Sequence, residues 1–198
     1  MTLAVAENSS GTVWGSPRRI PIQITADMLV KFLSKTEIFE NQDPEELVAF
    51  EPFFEVVRVA ESHTIFQEGT NGDAWFVILD GEVSVIKEMS SGPPHVLSHL
   101  HPGDTFGEMA LLDDAPRMAT THAVIDTLLA RLPREAFLQM LRAGKQPAVK
   151  LLWAMSSVLC QRQRQLTMVL ADLVEAPDDE VRDFEMLGQL LRSNVTWN

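Results

Sequence analysis

The sequence predicts an α+β protein, a jelly-roll or related β-barrel with helices before it and one long helix after it. Three observations carry this. Short β-branched or apolar runs separated by Gly, Pro and Asp turns fill the stretch from Phe54 to about Leu132. Helical periodicity precedes that stretch at Met28, Leu29, Phe32 and Leu33. An unbroken three-and-four spacing follows it at Leu152, Met155, Leu159, Arg162, Leu166, Val169 and Leu173.

The elements follow in order. Residues 1–22 contain Asn8-Ser9-Ser10-Gly11, Gly15-Ser16-Pro17 and Pro21, and read as a mobile arm with Trp14 exposed on it. Thr25 and Asp27 are the alternative caps of the first helix. Asp43-Pro44-Glu45-Glu46-Leu47 has the Asp-cap and first-turn Pro of a second helix start. Val56, Val57 and Val59, the apolar run Trp75–Leu79, and the alternating Val83 and Val85 are strands. Gly92-Pro93-Pro94 is a hairpin tip, and Phe137–Leu141 is a further helix. This places a roll with flanking helices at 23–147, the long helix at 148–176 and a short acidic tail with a helical pattern at 177–198. The long helix spans about 42 Å at about 1.5 Å per residue. Its seam is coiled-coil-like, apolar at every position except Arg162, and Cys160 beside it reads as a buried, inert thiol in preference to a redox switch.

Composition narrows the function. The 198 residues carry 28 acidic and 16 basic side chains, a formal net charge of −12. Such a balance opposes nucleic acid and anionic membranes. A single cysteine fits a reducing compartment. We see no run of about 20 apolar residues and no secretion signal, so a cytoplasmic protein with no membrane partner is expected. No Ser-His-Asp, Walker-type or paired-carboxylate arrangement stands out, and we expect no enzyme. His99-Leu100-His101 has two imidazoles on one strand face, but the nearest downstream glutamate is Glu108, and no metal site is expected.

The densest chemistry lies in Phe106–Thr120, FGEMALLDDAPRMAT. Gly107 lets the backbone approach a ligand closely. Glu108–Leu112 can form one helical turn, opened by Met109 and Ala110, whose first N–H groups point at an anion. Glu108 is an acceptor for sugar hydroxyls, and Arg117, nine positions on, is a fixed fork of donors for a phosphate. Together these suit a cyclic phosphate on a sugar.

The stretch resembles the phosphate-binding cassette of the cyclic-nucleotide-binding domain family, which includes catabolite-activator type regulators and the regulatory subunits of cyclic-AMP-dependent kinases. Ile65-Phe66-Gln67-Glu68-Gly69, Gly72-Asp73, Phe76-Val77-Ile78-Leu79, Gly81-Glu82-Val83 and Pro102-Gly103-Asp104 also resemble the family's strands and turns, in the family's order, over about Thr25 to Glu175. Two departures stand out: Glu61-Ser62-His63 where many members have a glycine turn, and Met118 where a small residue is usual.

The resemblance implies a cyclic-nucleotide-binding β-roll whose long C-terminal helix dimerises and caps the base. It implies that Arg117 and the amides of Ala110 and Met118 hold the phosphate, while Glu108 and Gly107 hold the ribose 2′-hydroxyl. Val85, Leu97 and Leu100 match positions that pack on base and ribose, and Arg162 and Gln163 fall where polar side chains meet the base. In a regular strand, however, Leu97 and Leu100 point to opposite faces; a strand bend could reconcile the two, and plain core packing is the alternative for these positions. For Arg162, snorkelling out of the seam or setting its register is the alternative. Cyclic AMP is the expected ligand and cyclic GMP the next choice, because members selective for the latter often carry a hydroxyl residue at the Met118 position; some bacterial relatives take a cyclic dinucleotide. A ligand-independent scaffold is the competing reading. A winged helix-turn-helix domain needs roughly sixty residues beyond the long helix, so we expect no DNA binding and an output through a separate protein partner.

Overall fold

The computed structural model describes residues 24–89, 92–113 and 115–175. The expected N-terminal arm and the acidic tail lie outside them. The expected helices form. Helix α1 (Ala26–Leu33) starts at Thr25, whose hydroxyl accepts from the Met28 amide at 3.3 Å. Helix α2 (Pro44–Phe50) begins after Asp43, whose amide donates to Glu46 Oε2 at 3.0 Å, one half of a capping box.

Eight strands follow: β1 (Glu55–Val59), β2 (Thr64–Phe66), β3 (Ala74–Asp80), β4 (Val83–Lys87), β5 (His95–Leu100), β6 (Thr105–Phe106), β7 (Thr120–Ala123) and β8 (Thr127–Pro133). They pair antiparallel in two four-stranded sheets, β1-β8-β3-β6 and β2-β7-β4-β5. One apolar core takes Val57, Ile65, Phe76, Val83, Leu100, Phe106, Ala123 and Leu129, one residue or more from every strand.

Strand β3 is buried on both faces, which explains its continuous apolar reading. Ala74, Phe76 and Ile78 enter the core. Trp75 points the other way into an aromatic group, with ring centroids 5.9 Å from Phe39 and 6.3 Å from Phe54. Edge-to-face packing of Phe39, Phe50 and Phe54 attaches the N-terminal segment to the roll.

The departure at Glu61-Ser62-His63 has a structural answer. Ser62 has φ +64°, the left-handed conformation that a glycine would adopt without strain. Its amide donates to Ala123 O at 2.7 Å, which holds the turn against β7.

Helix α3 (Met109–Leu112) follows β6, α4 (Arg134–Arg142) follows β8, and α5 runs from Gln146 to Glu175. The first turns of α5 are tied to α2: Lys150 Nζ lies 2.6 Å from Glu46 Oε2, and Gln42 Nε2 donates to Pro147 O at 3.3 Å. The chain divides after Leu152, and the remainder of α5 belongs to the second unit. Within that unit Met155 and Val169 are buried, Leu159 and Arg162 half-buried, and Leu166 is exposed. Cys160, expected to be buried, is exposed. It sits one position past Leu159, about 100° around the helix from the seam.

Candidate functional site

Strand β6 is only two residues long, and what ends it builds the site. Phe106 pairs with Phe76 of β3. Gly107 then turns at φ +79°, and Glu108 stands at the N-cap position of the four-residue α3, without a side-chain cap bond. A Cβ at Gly107 would stand 2.6 Å from Arg117 Nη1 and 3.3 Å from Ala74 O, so any other residue would be strained at this φ and would have to displace the guanidinium.

The Arg117 side chain is 3% exposed. Nη1 donates to Gly107 O at 3.2 Å, and Nη2 donates to Ala74 O at 2.7 Å. The guanidinium lies 3.9 Å from the centroid of the Phe66 ring, a cation–π contact. Phe66, Phe76 and Phe106 form an aromatic floor, the last two stacked at 5.1 Å. The backbone of Arg117 is held equally firmly: its amide donates to Thr70 O at 2.8 Å, and its carbonyl accepts from the Gly69 amide at 2.9 Å.

The charge balance is less complete. Asp73 Oδ1 is 3.7 Å from Arg117 Nη2, but Asp73 Oδ2 binds Arg131 Nη2 at 2.7 Å. Arg131 also binds Glu55 at 2.6 Å. Burial pushes the Arg117 guanidinium down to about 10, against the pull of Asp73; Arg131 adds a smaller push and Glu108 a smaller pull. Arg117 Nε makes no hydrogen bond among the described residues. A buried cation with an unused donor and a shared counter-ion gains from an anion brought beside it. Glu108, 7% exposed, supplies a buried carboxylate within the same cassette.

Other expected site residues are less tightly gathered. Met109 and Met118 are 42% and 60% exposed, and Ala110 lies within α3. Val85 is half-buried against the core. Leu100 is 2% exposed within the core, whereas Leu97 is 44% exposed. Strand β5 carries a bulge at Leu97. Val85 pairs with Ser98 and Ile86 with Val96, leaving Leu97 as an extra residue. Leu100 pairs with Val83 and both lie in the core, so the bulge interrupts the regular alternation between Leu97 and Leu100. Arg162, half-buried, and Gln163, exposed, lie on the second unit's part of α5. His99 Nδ1 is 2.7 Å from Glu82 Oε1.

Sequence reasoning missed the groups that hold Arg117. Phe66 and Asp73 lie in motifs already noted for their strands and turns, Thr70 falls between those motifs, and the carbonyl of Ala74 has no signature at all. Lys87 was also missed. It ends β4 and donates to Met118 O at 2.9 Å.

Residues 56–143 match the profile of the cyclic nucleotide-binding domain. The chain is 37% identical over 110 residues to a cAMP-dependent protein kinase regulatory subunit of Dictyostelium discoideum, covering 54% of this chain and 34% of that protein. It is 31% identical over 158 residues to a cyclic AMP receptor protein of Thermus thermophilus, covering 80% of this chain and 71% of the relative. The fold is similar to the crystal structure of Thermus thermophilus catabolite activator protein, with a TM-score of 0.64 and 30% identity over 69% of this chain and 62% of that one. The chain thus spans about a third of the kinase subunit and most of the receptor protein. With a two-sheet roll, a glycine-opened cassette and a buried arginine, it belongs to the cyclic nucleotide-binding domain family.

Among the described residues no helix is long and apolar enough to cross a membrane.

Proposed function

We propose that this protein is a cyclic-nucleotide sensor that binds cyclic AMP and signals through its long helix to a separate protein, without catalysing a reaction. The observation that carries this is Arg117. Its guanidinium is buried, aimed by two backbone carbonyls, and only partly neutralised by Asp73. The cyclic phosphate supplies the missing anion, with the Ala110 and Met118 amides as further donors. Glu108 and the Gly107 backbone take the ribose 2′-hydroxyl.

On the base side, Val85 and Leu97 keep surface free, while Leu100 is nearly fully buried. Roles for Arg162 and Gln163 at the base rest on the family resemblance alone. The choice of cyclic AMP is supported by the names of the relatives. Met118 supports it too, because its thioether is a poor partner for a guanine edge. The exposed Leu166 on the apolar seam supports pairing of two copies through α5. Signalling then requires the nucleotide to prefer one arrangement of that helix over another.

Calorimetric titration with cyclic AMP, cyclic GMP and cyclic di-GMP tests the reading. Saturable binding that is tightest for cyclic AMP is expected. No binding of any of the three would leave a scaffold that keeps the fold alone.

A further inference from the structure

Immediately beyond Arg117 the chain is stapled by a side chain from another strand. Lys87, the last residue of β4, lies in an ion pair with Glu68 Oε1 and donates to Met118 O at 2.9 Å. Glu68 is itself fixed. Its Oε2 accepts from the Glu88 amide at 3.1 Å, and its own amide donates to Thr120 Oγ1 at 3.0 Å. The Glu68 carboxyl is held below its usual range, first by Lys87 and then by the Glu88 amide. Residues 117, 118 and 120 are thus gripped in turn: Arg117 by Gly69 and Thr70, Met118 by Lys87, and Thr120 by Glu68.

The chemistry of this grip is not that of an ordinary surface ion pair. An exposed Lys–Glu pair alone contributes little, and Lys87 is 37% exposed. Here the ammonium reaches past its carboxylate to a main-chain carbonyl, a charge-assisted hydrogen bond. That carbonyl belongs to the Met118–Ala119 peptide, whose plane it fixes. Fixing the plane limits rotation of Met118 itself, whose amide stands directly after the arginine. Loss of the ammonium would remove this hydrogen bond and, among the described residues, leave Met118 held through its neighbours. The entropy of ordering this segment would then fall on ligand binding.

We infer that Lys87 is a positioning residue for the nucleotide: by holding the Met118 carbonyl it pre-orders the Met118 amide, which receives the phosphate together with Arg117. This rests on the proposed phosphate role of Arg117. Lys87 touches no ligand atom in this account and acts through Met118.

The test compares the wild-type chain with Lys87→Met and Lys87→Arg by calorimetry with cyclic AMP, with amide NMR spectra of each ligand-free protein. Lys87→Met should bind about five- to twentyfold more weakly, and Lys87→Arg should recover most of that loss. The Ala119 amide, in the peptide that Lys87 holds, should shift in Lys87→Met and return in Lys87→Arg. Wild-type affinity in Lys87→Met would overturn the inference, as would weakened binding with an unmoved Ala119 amide. Absence of binding by the wild-type chain would instead overturn the proposed phosphate site, and the Ala119 amide of the ligand-free variants would still report whether Lys87 orders Met118.

Discussion

In the proposed function, Arg117 and Leu97 represent two ways of preparing a surface for a ligand. The arginine is 3% exposed, donates to two carbonyls, rests on a phenyl ring and has both backbone groups bonded. Leu97 is 44% exposed, sits in a bulge and belongs to an edge strand of its sheet. The first is fixed before any ligand arrives, and its strength is electrostatic. The second offers only apolar area, with no directional group to fix a partner. Affinity should therefore concentrate at the phosphate end, while the apolar wall adjusts it modestly and tolerates different bases.

Removing the arginine is the most severe way to challenge this contrast. Arg117→Ala should lose about 2–4 kcal/mol of binding, roughly thirty- to a thousandfold in affinity. Unchanged affinity by titration would show that the phosphate does not meet this residue.

A smaller effect is expected from displacing the arginine without deleting it. Gly107→Ala places a methyl 2.6 Å from Nη1 at a φ of +79°. The strain and the shifted guanidinium should together cost about 1–3 kcal/mol. Calorimetry should show weaker binding, and thermal melting should show a midpoint lower by a few degrees. Wild-type behaviour in both would mean that the cassette yields easily, contrary to its many bonds.

The smallest change is expected at the wall. Leu97→Ala should weaken nucleotide binding by about 1 kcal/mol or less and alter folding stability by no more than about 0.5 kcal/mol. A loss as large as that of Arg117→Ala would abolish the distinction between the two ends.

Much of this was legible in the residues. Thr25, Asp43-Pro44 and the alternating valines announce local structure because capping and strand alternation depend on near neighbours. Gly107, Glu108 and Arg117 were readable because their spacing sits within one short segment. The bulge at Leu97 was only half visible. The conflict of faces was plain, but a bulge is defined by the register of the opposite strand, Val85–Ile86. The partners of the cassette were not visible at all. Ala74 and Lys87 reach Arg117 and Met118 from 43 and 31 residues away, and a backbone carbonyl leaves no mark in sequence. Cys160 was expected to be buried because it lies beside the seam, but one residue's step turns a side chain about 100° around the helix, and this thiol is exposed.

A crystal structure of the chain with cyclic AMP tests the central claim most directly. It should place phosphate oxygens within hydrogen-bond distance of the Arg117 guanidinium and the Met118 amide, with the ribose 2′-hydroxyl on Glu108. A nucleotide bound elsewhere, or bound with Arg117 still directed only at Gly107, Ala74 and Asp73, would contradict it.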